Sequence, residues 1–217
     1  MAKQKVLIIP GNGCGKIEKA NWYAWLAAEL IGAGCEVPLR SMPDPDEAKE
    51  VIWLPFIRDV LGCDEDTIVV GHSSGAVAAM RLLEKTKVKG VVLVSACWTD
   101  LGMPSEVSIT IAFGKVCKGK EIVGREIGVT TINQHSCKQA ISGYYARDWP
   151  WKQIAGNADW IVQLASSDDP FIPIEEMRFV AKSLQTEYIE KKDEGHFMTQ
   201  TFPELKDIVL NKIDGKL

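Results

Sequence analysis

The sequence predicts an α/β fold of three layers, a mostly parallel sheet of about six strands with helices on both faces. Three observations carry that expectation. Short apolar runs alternate with amphipathic stretches of helical length along the chain. Runs such as Val6-Leu7-Ile8-Ile9 and Val91-Val92-Leu93-Val94 are apolar at every position, as strands buried on both faces are. The pentapeptide Gly71-His72-Ser73-Ser74-Gly75 stands between one such run and an alanine-rich stretch, a strand–tight turn–helix sequence.

The expected strands are Lys5 to Ile9, Glu36 to Leu39, Thr67 to Val70, Gly90 to Ser95, Trp160 to Ala165 and Glu187 to Lys191. Helices are expected over Trp22 to Ile31, Pro45 to Leu61 with a break near Pro55, Gly75 to Lys85, Pro173 to Leu184 and Pro203 to Lys212. Trp22, Trp25, Trp53 and Phe56 recur at helical spacing and read as core. Right-handed crossovers between parallel strands restrict the topology. No repeat, linker or second domain stands out, so residues 1–217 are expected to form one domain.

Composition narrows the function classes. An apolar share of 46% and a charged share of 25% are those of an ordinary soluble protein. A net charge of −4, spread along the chain, offers no basic stripe for nucleic acid. No apolar run approaches the roughly 20 residues that span a bilayer, so no membrane partner is expected. Met1-Ala2-Lys3-Gln4-Lys5 leads directly into the first strand and leaves no room for a signal peptide. Six irregularly spaced cysteines lack C-x-x-C or Cys/His zinc spacing. A cytoplasmic or nuclear protein with reduced thiols and no metal or cofactor is expected.

The chemistry-bearing signal is G-x-S-x-G at a strand-to-helix turn, which strains the Ser73 backbone and lifts its hydroxyl above the sheet edge. A serine hydroxyl is a weak nucleophile and needs a base oriented by a third group. There are three histidines. His72 is inside the turn and points away from Ser73 or into the sheet, and His135 is in an irregular polar stretch. His196, in Asp193-Glu194-Gly195-His196-Phe197, follows the last strand and opens on the same sheet edge as Ser73. Asp168 and Asp169 lie in the exit loop of the preceding strand, and either suits the orienting carboxylate. The loop Gly11-Asn12-Gly13-Cys14-Gly15-Lys16 fails the dinucleotide fingerprint at Lys16, and fails the phosphate-loop pattern at Pro10 and Ile17.

Together with Pro10-Gly11-Asn12-Gly13, Met42-Pro43-Asp44-Pro45, Ile52-Trp53-Leu54-Pro55-Phe56, Val92-Leu93-Val94-Ser95-Ala96, Asp168-Asp169-Pro170-Phe171 and Gly195-His196-Phe197, the pentapeptide makes the chain resemble the α/β-hydrolases. More narrowly, it resembles the serine hydrolases of the retinoblastoma-binding protein 9 family, from residue 6 to about residue 205. The resemblance implies a three-layer α/β-hydrolase-like fold with strand order 2-1-3-4-5-6. It implies a metal-independent hydrolase of small ester or amide substrates, aminoacyl ones included, acting through an acyl-enzyme. The triad would be Ser73, His196 and Asp169, the aspartate before proline, with Asp168 the runner-up. The backbone N–H groups of Asn12 and Ser74 would form the oxyanion hole. The departure from the family is an extra segment at about 105–140, expected as a lid or a flexible loop. Trp149 and Trp151, just after it, are expected in the pocket wall.

A reading from a different class rests on Leu61-Gly62-Cys63-Asp64-Glu65, which fits L-x-C-x-E, a motif used by partners of the retinoblastoma pocket. Recognition of such a motif needs an extended, exposed peptide. Leu61 ends an expected helix, so its burial separates the two readings.

Overall fold

The computed structural model describes residues 3–101 and 142–216. Strands β1 (Val6–Ile9), β2 (Ile68–His72), β3 (Val88–Val94), β4 (Ala158–Ser166) and β5 (Glu187–Lys191) form one parallel sheet in that spatial order. The sixth expected strand, Glu36 to Leu39, does not form. It is reduced to a single parallel bridge between Lys5 and Glu36. Pro38 has no N–H to continue the ladder, and the Leu39 N–H turns back to the Val37 carbonyl at 2.9 Å. The bridge still occupies the edge of β1 opposite β2. The chain therefore reverses direction across the sheet at β1, and a ligand site in such a sheet belongs at the carboxyl ends of the strands beside that reversal.

Among the described residues six helices cover the sheet: α1 (Tyr23–Gly32), α2 (Glu50–Pro55), α3 (Ser74–Leu82), α4 (Trp151–Gly156), α5 (Ile174–Leu184) and α6 (Pro203–Ile213). The period-two alternation of the strands assigns them to two layers. Leu7, Ile9, Val69, Val91, Leu93 and Ile161 face a core shared with Trp53, Ala76 to Met80, Ile154, Met177 and Val180, from α2, α3, α4 and α5. Val6, Ile8, Ile68, Val70, Val92 and Val162 face a second core, shared with Leu26, Leu30, Leu205 and Val209 from α1 and α6. Each fully buried aliphatic side chain of this kind contributes about 1.5–3 kcal/mol. The two cores on either face of the sheet are the three layers read from the sequence.

Two helical expectations change. The helix anticipated from Pro45 starts only at Glu50, because Asp44 and Ala48 adopt φ of +47° and +52°, outside right-handed helix. Beyond Pro55 the chain does not break but widens into a π-turn over Phe56–Val60, closed by the Leu61 N–H on the Phe56 carbonyl at 2.9 Å. Helix α4 was not expected at all. The anticipated lid or flexible loop at 105–140 lies outside the described residues, as does His135. No helix among the described residues is long and apolar enough to cross a membrane.

Candidate active site

The turn between β2 and α3 is fixed by backbone crowding. A Cβ at Gly71 would lie 2.5 Å from the Gly75 carbonyl oxygen, and one at Gly75 would lie 2.2 Å from that of Ile9. Neither neighbour is a flexible side chain, so both positions admit only glycine. Between them Ser73 is held at φ +56° and ψ −121°, a conformation costly for any residue with a Cβ, of order 1–3 kcal/mol. Its N–H is fastened to the Val94 carbonyl at 2.9 Å, and its own carbonyl receives the N–H of Ala76 at 2.9 Å. The Ser73 side chain is buried, yet its Oγ has no hydrogen-bond partner among the described residues. A buried hydroxyl normally has a partner.

His196 lies in the turn after β5 and lines the same cleft as Ser73. Its Nδ1 is 2.7 Å from Oδ2 of Asp169, whose side chain is fully buried. The Ser95 hydroxyl donates to that same Oδ2 at 2.8 Å, and the N–H groups of Phe171 and Ile172 donate to Oδ1 at 2.9 and 3.1 Å. Burial opposes charge on this carboxylate. The hydrogen bond and charge of His196, with the two backbone donors, outweigh it and hold the carboxyl below its ordinary range. Asp169 is therefore ionised at neutral pH, and Nδ1 of the imidazole is the donor. Asp168 faces elsewhere, accepting from the Ser166 hydroxyl and from the Gly195 N–H at 3.2 Å. Its carboxyl is also held low, first by Ser166, so a low carboxyl alone does not distinguish the two aspartates; contact with the imidazole does.

The cleft has a volume of about 230 Å³. Its lining includes Gly11, Asn12 and Gly13 from the loop after β1, His72 and Ser73, and Phe171, His196 and Met198. Ser74 opens α3, where a first-turn N–H has no carbonyl within the helix to meet. Asn12 and Ser74 have no backbone N–H bond to another backbone group among the described residues, and both adjoin the serine, through the loop and the chain respectively. That is where an anionic oxygen could be received.

Trp149 and Trp151 do not line this cleft. Trp149 donates to the Trp98 carbonyl at 2.8 Å and stacks on Trp151 with ring centres 5.4 Å apart. Trp151 in turn meets Phe179 of α5 edge-on. Their neighbours along the chain, Pro150 and the start of α4, carry them onto the helical layer beside α3 and α5. The expectation of a pocket wall there is corrected: Phe171 and Met198 take that place. Phe171 sets its ring edge-on to His196 at 5.0 Å.

Leu61 and Cys63 are 5% and 7% exposed and belong to the core under α2 and α3. Gly62 between them turns at φ +66°. The L-x-C-x-E match is thus folded into the end of a helix, and an extended-peptide partner could take it only after local unfolding. Ser95 was quoted in the sequence only as part of a strand. Its position, a hydroxyl closing an otherwise apolar run at the same sheet edge as Ser73, was the available signal for a contact to the carboxylate.

Known proteins resemble this chain in sequence and in fold. A family model described as "Serine hydrolase" matches residues 6–202. The chain is 37% identical over 214 residues to the rat serine hydrolase RBBP9, an alignment that covers 98% of this chain and 97% of that one. The crystal structure of the ydeN gene product of Bacillus subtilis superposes with a TM-score of 0.73 at 20% identity, covering 98% of this chain and all of that one. A carboxylesterase structure from the thaumarchaeon Nitrososphaera gargenis superposes with a TM-score of 0.64 at 12% identity, covering 98% and 90%. The last two show a shared α/β-hydrolase fold.

Proposed function

Starting from a chain that belongs to the serine hydrolase family, we propose that it cleaves small esters or amides through an acyl-enzyme on Ser73. The observation that carries this reading is the Oγ of a strained Ser73, without a partner among the described residues, in one cleft with an imidazole whose other end is held by Asp169 at 2.7 Å. With the proton on Nδ1, Nε2 of His196 bears the lone pair. As Ser73 Oγ attacks the substrate carbonyl carbon, its proton passes to Nε2. The imidazolium is stabilised by the ionised Asp169, and the carbonyl oxygen becomes an oxyanion between the N–H groups of Asn12 and Ser74. Collapse expels the alcohol or amine with the proton from Nε2. Water then repeats the sequence on the acyl-enzyme and frees the acid. Asp169 holds and orients throughout and does not itself take the proton.

A cleft of about 230 Å³ with Phe171 and Met198, 36% and 59% exposed, at its rim suits a small acyl group. Aminoacyl esters remain within that class. The decisive experiment is pre-steady-state hydrolysis of p-nitrophenyl acetate. A burst of one p-nitrophenol per protein, absent in Ser73→Ala, is the expected result. Equal turnover in the alanine variant overturns the mechanism.

A further inference from the structure

A hydrogen-bonded chain along the cleft joins three of the loops that the proposed reaction uses. The Gly11 N–H donates to the hydroxyl oxygen of Tyr23 at 3.2 Å, and Nδ2 of Asn21 donates to the same oxygen at 3.2 Å. That oxygen lies 2.6 Å from Nδ1 of His72. On the far side of the ring, Nε2 of His72 lies 2.9 Å from the backbone carbonyl oxygen of His196. A carbonyl has no proton to give, so Nε2 of His72 carries one and donates it. The phenol oxygen already accepts twice, so its own proton is the one shared with Nδ1. His72 is therefore a neutral imidazole in a single tautomer, fixed from both ends. Burial pushes the Tyr23 hydroxyl up to about 12 against the pull of Gly11 and Asn21, which keeps that proton in place.

The rings are packed as well as bonded. His72 is 2% exposed, with Trp22 at 5.7 Å, Tyr23 at 5.9 Å and the His196 ring at 4.9 Å between centres. Asp169 controls the His196 ring through Nδ1, but nothing in that contact fixes where the backbone of residue 196 sits relative to Ser73. His72 does so, because it is the residue before Ser73 and bonds the residue-196 carbonyl. Through Tyr23 the same chain reaches Gly11, the residue before Asn12.

We propose that His72 is a positioning residue for the hydrolysis, a strut that sets the His196 loop and, through Tyr23, the Asn12 loop at a fixed distance from Ser73. The inference rests on the acyl-enzyme reading above. A strut of this kind acts on the chemical step, since displacement by about 1 Å can cost on the order of 10²-fold in rate. Substrate binding, made at the cleft rim, is left largely alone.

The test is steady-state hydrolysis of p-nitrophenyl acetate by His72→Phe, His72→Gln and Tyr23→Phe, with Ser73→Ala in parallel and thermal unfolding midpoints for all. Phenylalanine keeps a ring but neither bond. Glutamine keeps an N–H for the His196 carbonyl. His72→Phe is expected to lose about 10- to 100-fold in kcat with KM within about threefold, His72→Gln to recover to within about fivefold of the parent, and Tyr23→Phe to lose about 3- to 10-fold. Parent-like kcat in folded His72→Phe overturns the proposal, as does a glutamine variant as slow as the phenylalanine one, or a loss lying wholly in KM. If His72→Phe does not fold, Tyr23→Phe decides: parent-like kcat overturns the strut, and the stated loss with unchanged KM supports it. Turnover surviving Ser73→Ala overturns the acyl-enzyme reading itself. Full turnover in His72→Phe alongside none in Ser73→Ala overturns only the role of His72.

Discussion

Ser73 and Arg81 lie at opposite ends of α3, and both are buried, at 2% and 1% exposure. Arg81 spends every donor it has. Its Nε and Nη2 reach the Tyr144 carbonyl, Nη2 also reaches that of Arg147 at 2.8 Å, and Nη1 reaches Glu84 and the Asp148 carbonyl. The Trp149 ring covers the guanidinium, 3.4 Å from centroid to Cζ. Arg147 then ties Glu84 to Glu50 on α2. Ser73, at the N-cap of the same helix, has a strained backbone and a hydroxyl with no partner among the described residues. The saturated end clamps the chain returning at residues 144–148 onto the helical layer. The unsaturated end is where the proposed reaction would take place. The difference teaches that burial of a polar group does not by itself mark function; burial without a partner, in a backbone conformation enforced by its neighbours, does.

That contrast can be broken from either end. The largest effect is expected at the reactive end, where Asp169→Asn should lower kcat by roughly 10⁴-fold, by analogy with the buried aspartate of a serine protease. Asp168→Asn, which touches no imidazole, should cost far less in the same ester assay; the reverse order would exchange their roles. At the saturated end, Arg81→Met should leave kcat per folded molecule nearly unchanged. It should lower unfolding free energy by about 3 kcal/mol or more in urea titration, because three buried carbonyls lose their donor and Glu84 is left with Arg147 alone. Gly75→Ala should cost about 1–3 kcal/mol or more, since the new Cβ meets backbone that cannot step aside, and should lower kcat by moving Ser73. The smallest effect concerns acid. The Asp169 carboxyl is held lower in the folded chain than in the unfolded one, so its stabilising contribution is complete above the unfolded value of about 4 and is lost as pH falls through the folded one. The stability gap between the parent and Asp169→Asn should therefore narrow as a urea series is taken from neutral pH to about pH 3. A gap that widens would contradict the hydrogen-bonded carboxylate.

Much of this was legible in the sequence, for physical reasons that differ by element. The strand runs and the alternating helices were readable because a sheet buried on both faces writes itself as near-continuous apolar sequence. The geometry of the Ser73 turn was readable because only glycine fits at Gly71 and Gly75. The family resemblance pointed to Asp169 over Asp168, and the structure sets Asp169 against the imidazole. Other features were hidden. Pro38 cancels a strand that its flanking residues favour. Helix α4 has six residues, too few to display a helical period. Trp149 and Trp151 read as pocket lining because nothing local reveals that Arg81 and Phe179 will meet them. The His72 network joins residues 11, 23, 72 and 196, and such long-range pairings leave no local pattern.

The central claim is that Ser73 is a nucleophile and not a buried hydroxyl of the core. It is tested most directly by intact-protein and peptide mass measurement after treatment with a fluorophosphonate. The account predicts a single adduct on the peptide containing Ser73, and none on Ser73→Ala with an unfolding midpoint equal to or above that of the parent. An unlabelled parent protein, or an adduct that persists in Ser73→Ala, would contradict it.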